Sequence, residues 1–264
     1  MVIRISDIIE FITSPAEPVE PTVDKLETGN PRTEVKGIAV TFLAGQEIID
    51  EALALGCNLI ISHEGLFYSH WDKKEKYGED SVYREKLELI EQSGIAVFRF
   101  HDSIHHYNPD FITNGLLRAL GWQDYEIKNE PACSALEIPR MKLQDLLAYI
   151  KNKLEVPYLR YTGDTSSVIK RIGVFVGYGG TGETVIPAVG SADLDLVIYG
   201  EGPEWETPEY IRDAMYQGKN RALIVLGHAE SEAPSMEYFA GKLAERFPSI
   251  PVRYIPAKPV FRLF

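Results

Sequence analysis

Five of the chain's six histidines stand immediately beyond three apolar runs. Leu59-Ile60-Ile61 stops at Ser62-His63-Glu64-Gly65. Ile95–Phe100 (IAVFRF) runs into His101-Asp102-Ser103-Ile104-His105-His106. Ala222–Leu226 (ALIVL) runs into Gly227-His228-Ala229-Glu230-Ser231-Glu232. Imidazole and carboxylate donors in this mixture suit Zn, Mn or Fe(II) better than Ca or Mg. If the second segment opens a helix, His101 and His105 share a face, a spacing that can hold one ion. Spacing alone leaves open which of His101, Asp102, His105 and His106 would ligate. His228 and Glu232 are also four apart, and Pro234 fits the first turn of the helix that follows.

Each segment has a plain structural alternative. His63 could be a buried or solvated histidine, Asp102 could cap a turn, and Glu230 could complement a helix dipole. Together they point to a polar, metal-binding site, because ligands in open α/β sheets bind outside the carboxyl ends of the strands.

The elements that would carry these residues alternate. Strands are expected at Val35–Phe42, Asn58–Ser62 and Ile95–Phe100. Helices are expected at Ile5–Ile12 (Ser6 or Asp7 capping), Gln46–Leu55, Ser81–Gln92 (Ser81 capping) and Asp110–Leu120. Ser14–Asn30, rich in Pro, Glu and Thr, is expected to be irregular. Leu66–Asp80, with Tyr68, His70, Trp71, Asp72 and Tyr77, is expected to form a loop beside the site. Glu126–Ile138 suggests one or two strands, Lys142–Leu154 a helix and Pro157–Tyr161 a short strand. A second series follows, with strands at Ile169–Val176, Leu194–Tyr199, Ala222–Leu226 and Val252–Tyr254. Its helices are expected at Thr181–Val189, Pro208–Gln217 and Pro234–Phe247. Such alternation indicates parallel βαβ units. The series breaks near Gly121–Pro139, so the expectation is an α/β protein of two lobes with mostly parallel sheets, residues 1–125 and 126–264. One shared site would require the two lobes to face each other.

Composition narrows the function. A formal charge of −12 over 264 residues argues against nucleic-acid or anionic-membrane partners. No apolar run approaches the ~18 residues of a membrane span, and charge interrupts the N-terminal stretch where a signal peptide would be apolar. The expectation is a soluble, cytoplasmic protein. Cys57 and Cys133, each among apolar residues, are expected to be free thiols. Gly177-Tyr178-Gly179-Gly180-Thr181-Gly182 resembles a phosphate-cradling loop but no lysine completes a P-loop, so a tight turn is the main reading and anion binding the lesser one.

The ordered motifs resemble the NIF-three-like family, the type 2 homologues of GTP cyclohydrolase I. The resemblance rests on His63-Glu64-Gly65-Leu66-Phe67, on His101-x-x-x-His105, and on Gly227-His228-x-x-x-Glu232 preceded by Gly200-Glu201. It implies two facing α/β lobes, a dinuclear metal site with ligands His63, Glu64, His105, His228 and Glu232, and a homo-oligomer, often a hexamer. Glu64 stands where the family has a second histidine, and His105 where it has a bridging aspartate. The family's acid after the first strand is missing at Phe42–Ala44. The functional expectation is metal-assisted hydrolysis of a nucleotide-like or phosphorylated small molecule. Two divalent ions (Zn, Mn or Fe) would be held by His63, Glu64, His101, His105, His228 and Glu232, with Glu230 or Asp102 carrying protons. The alternative is a non-catalytic metal-binding or regulatory interaction protein.

Overall fold

The computed structural model describes residues 2–71, 76–130 and 132–262, and two compact units divide the chain. The first unit comprises Met1–Asn108 and Met236–Phe264, the second Pro109–Ser235. The alternation of elements sets a boundary near Tyr125. Packing sets it at Asn108 and returns the chain to the first unit at Met236, because the last strand pairs with the first unit's sheet.

The first unit is built on β1 (Lys25–Thr28), β2 (Ile38–Thr41), β3 (Leu59–Ser62), β4 (Ala96–Arg99) and β11 (Val252–Tyr254), in the spatial order β1-β4-β3-β2-β11. All are parallel to their neighbours except β1, which lies antiparallel on β4. Strands β2, β3 and β4 are buried along their whole length, which is why they read as continuous apolar runs rather than alternating ones. The helices are α1 (Ile5–Thr13), α2 (Gln46–Ala54), α3 (Ser81–Ser93) and the single turn α4 (Asp102–His105). Helix α2 buries Ile48, Ile49 and Ala52 against the sheet. Asp80, rather than Ser81, caps α3, accepting from Tyr83 N–H at 3.1 Å. In α1 Asp7 reaches back to the N–H of Arg4 at 2.8 Å. Within the segment expected to be irregular, β1 adds an edge strand. Asp72 lies outside the described residues.

In the second unit the spatial order is β5 (Glu126–Glu130), β6 (Cys133–Lys142), β8 (Val168–Phe175), β9 (Leu196–Tyr199), β10 (Ala222–Val225) and β7 (Arg160–Thr162). Strands β8, β9 and β10 are parallel, and the strands on either side are antiparallel. Its helices are α5 (Phe111–Leu120), α6 (Leu143–Lys153), α7 (Gly182–Ser191) and α8 (Thr207–Tyr216). Helix α9 (His228–Arg246) starts six residues before Pro234, so the expected start at that proline is corrected. The bond from Ser231 N–H to Gly227 C=O opens the helix, and Pro234, lacking an N–H, leaves one rung unmade inside it. Among the described residues no helix is long and apolar enough to cross a membrane.

One buried charge stands out in the first unit. Lys86 of α3 is 1% exposed. Its Nζ donates to Leu66 C=O and lies 5.3 and 5.4 Å from the ring centres of Phe67 and Tyr68. Burial pushes its pKa down to about 8. A lysine depressed on folding costs stability while both states are protonated. That cost fades as pH rises from the folded value toward the unfolded value of about 10.4. The stability gain of Lys86→Met over wild type should therefore shrink between pH 8 and about 10, followed by urea denaturation. A difference independent of pH contradicts the assignment.

Candidate metal centre

In the first unit, strand register places the donors. Ser62 of β3 pairs with Arg99 of β4, so His63 and Phe100 emerge side by side at the carboxyl ends of adjacent parallel strands. The backbone confirms this, with Phe100 N–H donating to Ser62 C=O at 2.8 Å. Nδ1 of His63, which is fully buried, lies 3.1 Å from Phe100 C=O. A carbonyl only accepts, so Nδ1 carries the proton and the Nε2 lone pair is the ligating one.

His101 follows β4 after Phe100 and stands at the N-cap of α4, and His105 ends α4, so the single helical turn brings both rings back toward His63. Ring centres lie 4.6 Å apart for His63–His101, 5.2 Å for His63–His105 and 5.3 Å for His101–His105. All three offer ligand atoms within 4.8 Å of one another. Glu64, His70 and His101 form a second such group. His106 joins neither among the described residues. Its Nδ1 sits 2.9 Å from Asp102 C=O.

Carboxylates hold His101 in place. Asp102 Oδ1 is 2.9 Å from His101 Nδ1, and Oδ2 accepts from Val23 N–H at 2.7 Å. Burial by itself raises the Asp102 carboxyl, but the bonds from His101 and Val23 outweigh it and hold the group well below the usual carboxylate range. Burial pushes His101 down, against the opposing pull of Asp102. The neutral, ligating form of the imidazole is thereby favoured. A carboxylate on the far nitrogen of a ligating histidine is the arrangement that fixes tautomer and ring orientation at metal sites. Both oxygens of Asp102 are engaged in this way.

Asp24 was not singled out from the sequence. Its Oδ1 accepts from His101 and Asp102 N–H, both at 2.7 Å, and its Oδ2 from Ser103 N–H at 2.8 Å. It caps the turn that carries His101 and His105. It comes from the segment just before β1, and only the pairing of β1 with β4 brings it there. Arg99 was also missed. A charged residue inside IAVFRF, it is 1% exposed and contacts Glu64 and His70. Its signal was its place in an apolar run, since a buried charge must be paired.

In the second unit, β8, β9 and β10 end in register, with Phe175 opposite Tyr199 and Tyr199 opposite Val225. Gly177, Glu201 and His228 follow these strand ends within three residues. His228 Nδ1 is 3.0 Å from Glu201 Oε1, and Nε2 is 3.2 Å from Oε2 of Glu232, which is 2% exposed. With Nδ1–H directed at Glu201, the Nε2 lone pair and the Glu232 carboxylate face each other. Two acceptors at that distance require either a proton on the imidazole or a cation between them. The donor chemistry therefore fits a divalent ion here, as do the converging imidazoles of the first unit. Glu230, in the first turn of α9, packs back on Gly227, where a Cβ would lie 2.0 Å from its Oε2.

The glycine-rich turn acquires a role. Gly177 adopts φ +56°, and a Cβ there would lie 2.2 Å from Glu232 Oε1 and 3.1 Å from His228 Nε2. Its N–H donates to Ser231 Oγ at 3.0 Å, and that hydroxyl donates to His228 C=O at 2.8 Å. The turn thus packs on the His228–Glu232 pair.

A family model described as Duf34/NIF3 (NGG1p interacting factor 3) matches residues 4–259. The chain belongs to the Duf34/NIF3 family. A GTP cyclohydrolase 1 type 2 homolog of Clostridium acetobutylicum is 27% identical over 227 residues, covering 83% of this chain and 80% of that protein. The fold matches that of a Bacillus cereus protein related to NIF3, with a TM-score of 0.78 at 15% identity and coverage of 100% and 99%. It also matches a hypothetical protein of Staphylococcus aureus, with a TM-score of 0.78 at 19% identity and full coverage of both chains. These agree with the family resemblance drawn from the histidine motifs and with the two mostly parallel sheets.

Two substitutions test this geometry. Asp24→Ala leaves three N–H groups uncapped and should cost ~1–2 kcal/mol, read by chemical denaturation; an unchanged midpoint contradicts the capping role. Gly177→Ala puts a Cβ onto Glu232 in a left-handed conformation and should cost roughly 1–3 kcal/mol. An alanine variant as stable as wild type would show that the turn and the pair are not packed as described.

Proposed function

We propose that this Duf34/NIF3 protein binds divalent metal ions, two per chain, and uses them to hydrolyse a nucleotide-like or otherwise phosphorylated small molecule. The observation that carries the reading is the convergence of His63, His101 and His105, three imidazoles within ligating reach of one another, one of them oriented by a carboxylate. In this reading His63, His101 and His105, with Glu64 beside them, hold one ion, and His228 and Glu232 hold the other. The family resemblance supports treating the two as a dinuclear centre. It also supports a homo-oligomer, a hexamer in the expected form.

A divalent Zn, Mn or Fe ion, when bound, supplies Lewis acidity that polarises a phosphoryl or carbonyl oxygen and acidifies water. The chain's own residues do the rest. Asp102 and Glu201 hold His101 and His228 in the ligating tautomer. Glu230, half-buried in the first turn of α9, is the candidate proton carrier in this reading. Asp102, with both oxygens bonded and its acidity increased, acts as an orienting group instead.

The test is metal content by mass spectrometry of the wild type, His63→Ala and His228→Ala, alongside a hydrolase panel of GTP, other nucleotides and phosphomonoesters. The reading predicts two ions in the wild type, about one fewer in each variant, and turnover abolished in both. Metal without turnover on any substrate would overturn the hydrolase assignment in favour of a metal-binding or regulatory protein. Failure to take up Zn or Mn would overturn both.

A further inference from the structure

Arg99 ends β4, and its side chain is buried among the core of the first unit, 1% exposed. One of its terminal nitrogens, Nη2, donates to Glu64 Oε2 at 3.2 Å and lies 3.1 Å from His70 Nδ1. The other, Nη1, donates to His70 C=O at 2.7 Å. Glu64 Oε2 also accepts from Gly65 N–H at 3.2 Å. The other carboxylate oxygen, Oε1, lies 3.7 Å from His101 Nε2. That distance is too long for a hydrogen bond but suits two donors sharing one ion. The carboxylate is therefore split between two tasks, with one oxygen held by two N–H donors and the other turned toward an imidazole.

We propose that Arg99 is a positioning residue that makes Glu64 a one-oxygen metal donor and removes His70 from the ligand set. The proposal rests on the metal-binding reading above. A glutamate free to rotate can bind an ion through either oxygen or both. Here the guanidinium, permanently charged and anchored on the His70 carbonyl, occupies Oε2 and leaves Oε1 on the side of His101. Arginine has only N–H donors, so His70 Nδ1 must accept, and the neutral ring then carries its proton on Nε2. Neither nitrogen of His70 has a lone pair left for an ion. The grouping of Glu64, His70 and His101 thus reduces to Glu64 and His101, the pair nearest the imidazole cluster.

The experiment uses the full chain, stripped of metal, in a His228→Ala background so that the ion of the first unit alone reports. Zn²⁺ affinity is measured by chelator competition, ion count by mass spectrometry, and the ligand field by the absorption spectrum of the Co²⁺ form. Circular dichroism confirms folding. Arg99→Gln should keep the ion count, lose ~10–100-fold in affinity and change the Co²⁺ spectrum. Arg99→Lys should fall between, since an ammonium cannot span both partners. Glu64→Gln should lose as much as Arg99→Gln, and the double variant no more than either, because both act through one carboxylate. His70→Ala should leave the ion count unchanged.

Additive losses, an unchanged affinity in Arg99→Gln, or an ion lost with His70→Ala would overturn the proposal. Should Arg99→Gln fail to fold, Glu64→Gln decides alone, and wild-type affinity in that variant overturns it. A parent protein that takes up no metal defeats the metal reading itself, which is a different result from a metal-loaded parent indifferent to Arg99.

Discussion

The pairing of Ser62 with Arg99 across two parallel strands sets where every donor of the first unit stands. Parallel strands in register deliver their next residues to the same edge of the sheet, so His63 and Phe100 emerge side by side, and the helical turn that follows brings His101 and His105 back to His63. The same constraint acts in the second unit, where Phe175, Tyr199 and Val225 lie level and Gly177, Glu201 and His228 follow. A slip of one residue in either sheet would turn buried side chains to the opposite face.

Around these strand ends a small set of charges is held by hydrogen bonds. Asp24 caps the turn bearing His101 and His105, Asp102 and Glu201 each orient an imidazole, and Arg99 balances Glu64. Removing one partner of a buried charged pair is far more damaging than replacing both, and this applies above all to Arg99 and Glu64. The glycine-rich turn contributes by what it lacks, since a side chain at Gly177 would occupy the space of the Glu232 carboxylate. Rigidity of this kind is what a metal site needs, because donors that are already oriented lose little freedom on binding.

Most of the fold was legible because buried parallel strands leave continuous apolar runs and the helices between them show 3.6-residue spacing. The imidazoles were legible because His63, His101, His105 and His228 sit directly beyond such runs. The misses have physical causes. The edge strand β1 is short and largely polar, and its identity comes from its partner rather than from its own residues. Asp24 and Arg99 act across many positions of sequence, a distance that spacing rules do not see. The preference of proline for first turns points to a start of α9 at Pro234, yet the local bond from Ser231 N–H to Gly227 C=O already opens the helix six residues earlier. The return of β11 to the first sheet is likewise a long-range pairing.

The central claim is that the imidazoles at the carboxyl end of the first sheet hold a metal ion and that the His228–Glu232 pair of the second unit holds one of its own. A crystal structure of protein grown with Zn²⁺ or Mn²⁺, with anomalous difference maps on both sides of the metal's absorption edge, tests it most directly. The account predicts edge-dependent peaks within bonding distance of His63, His101 and His105 and of His228 and Glu232. Maps with no peak at these residues, or with metal bound only elsewhere, would contradict it.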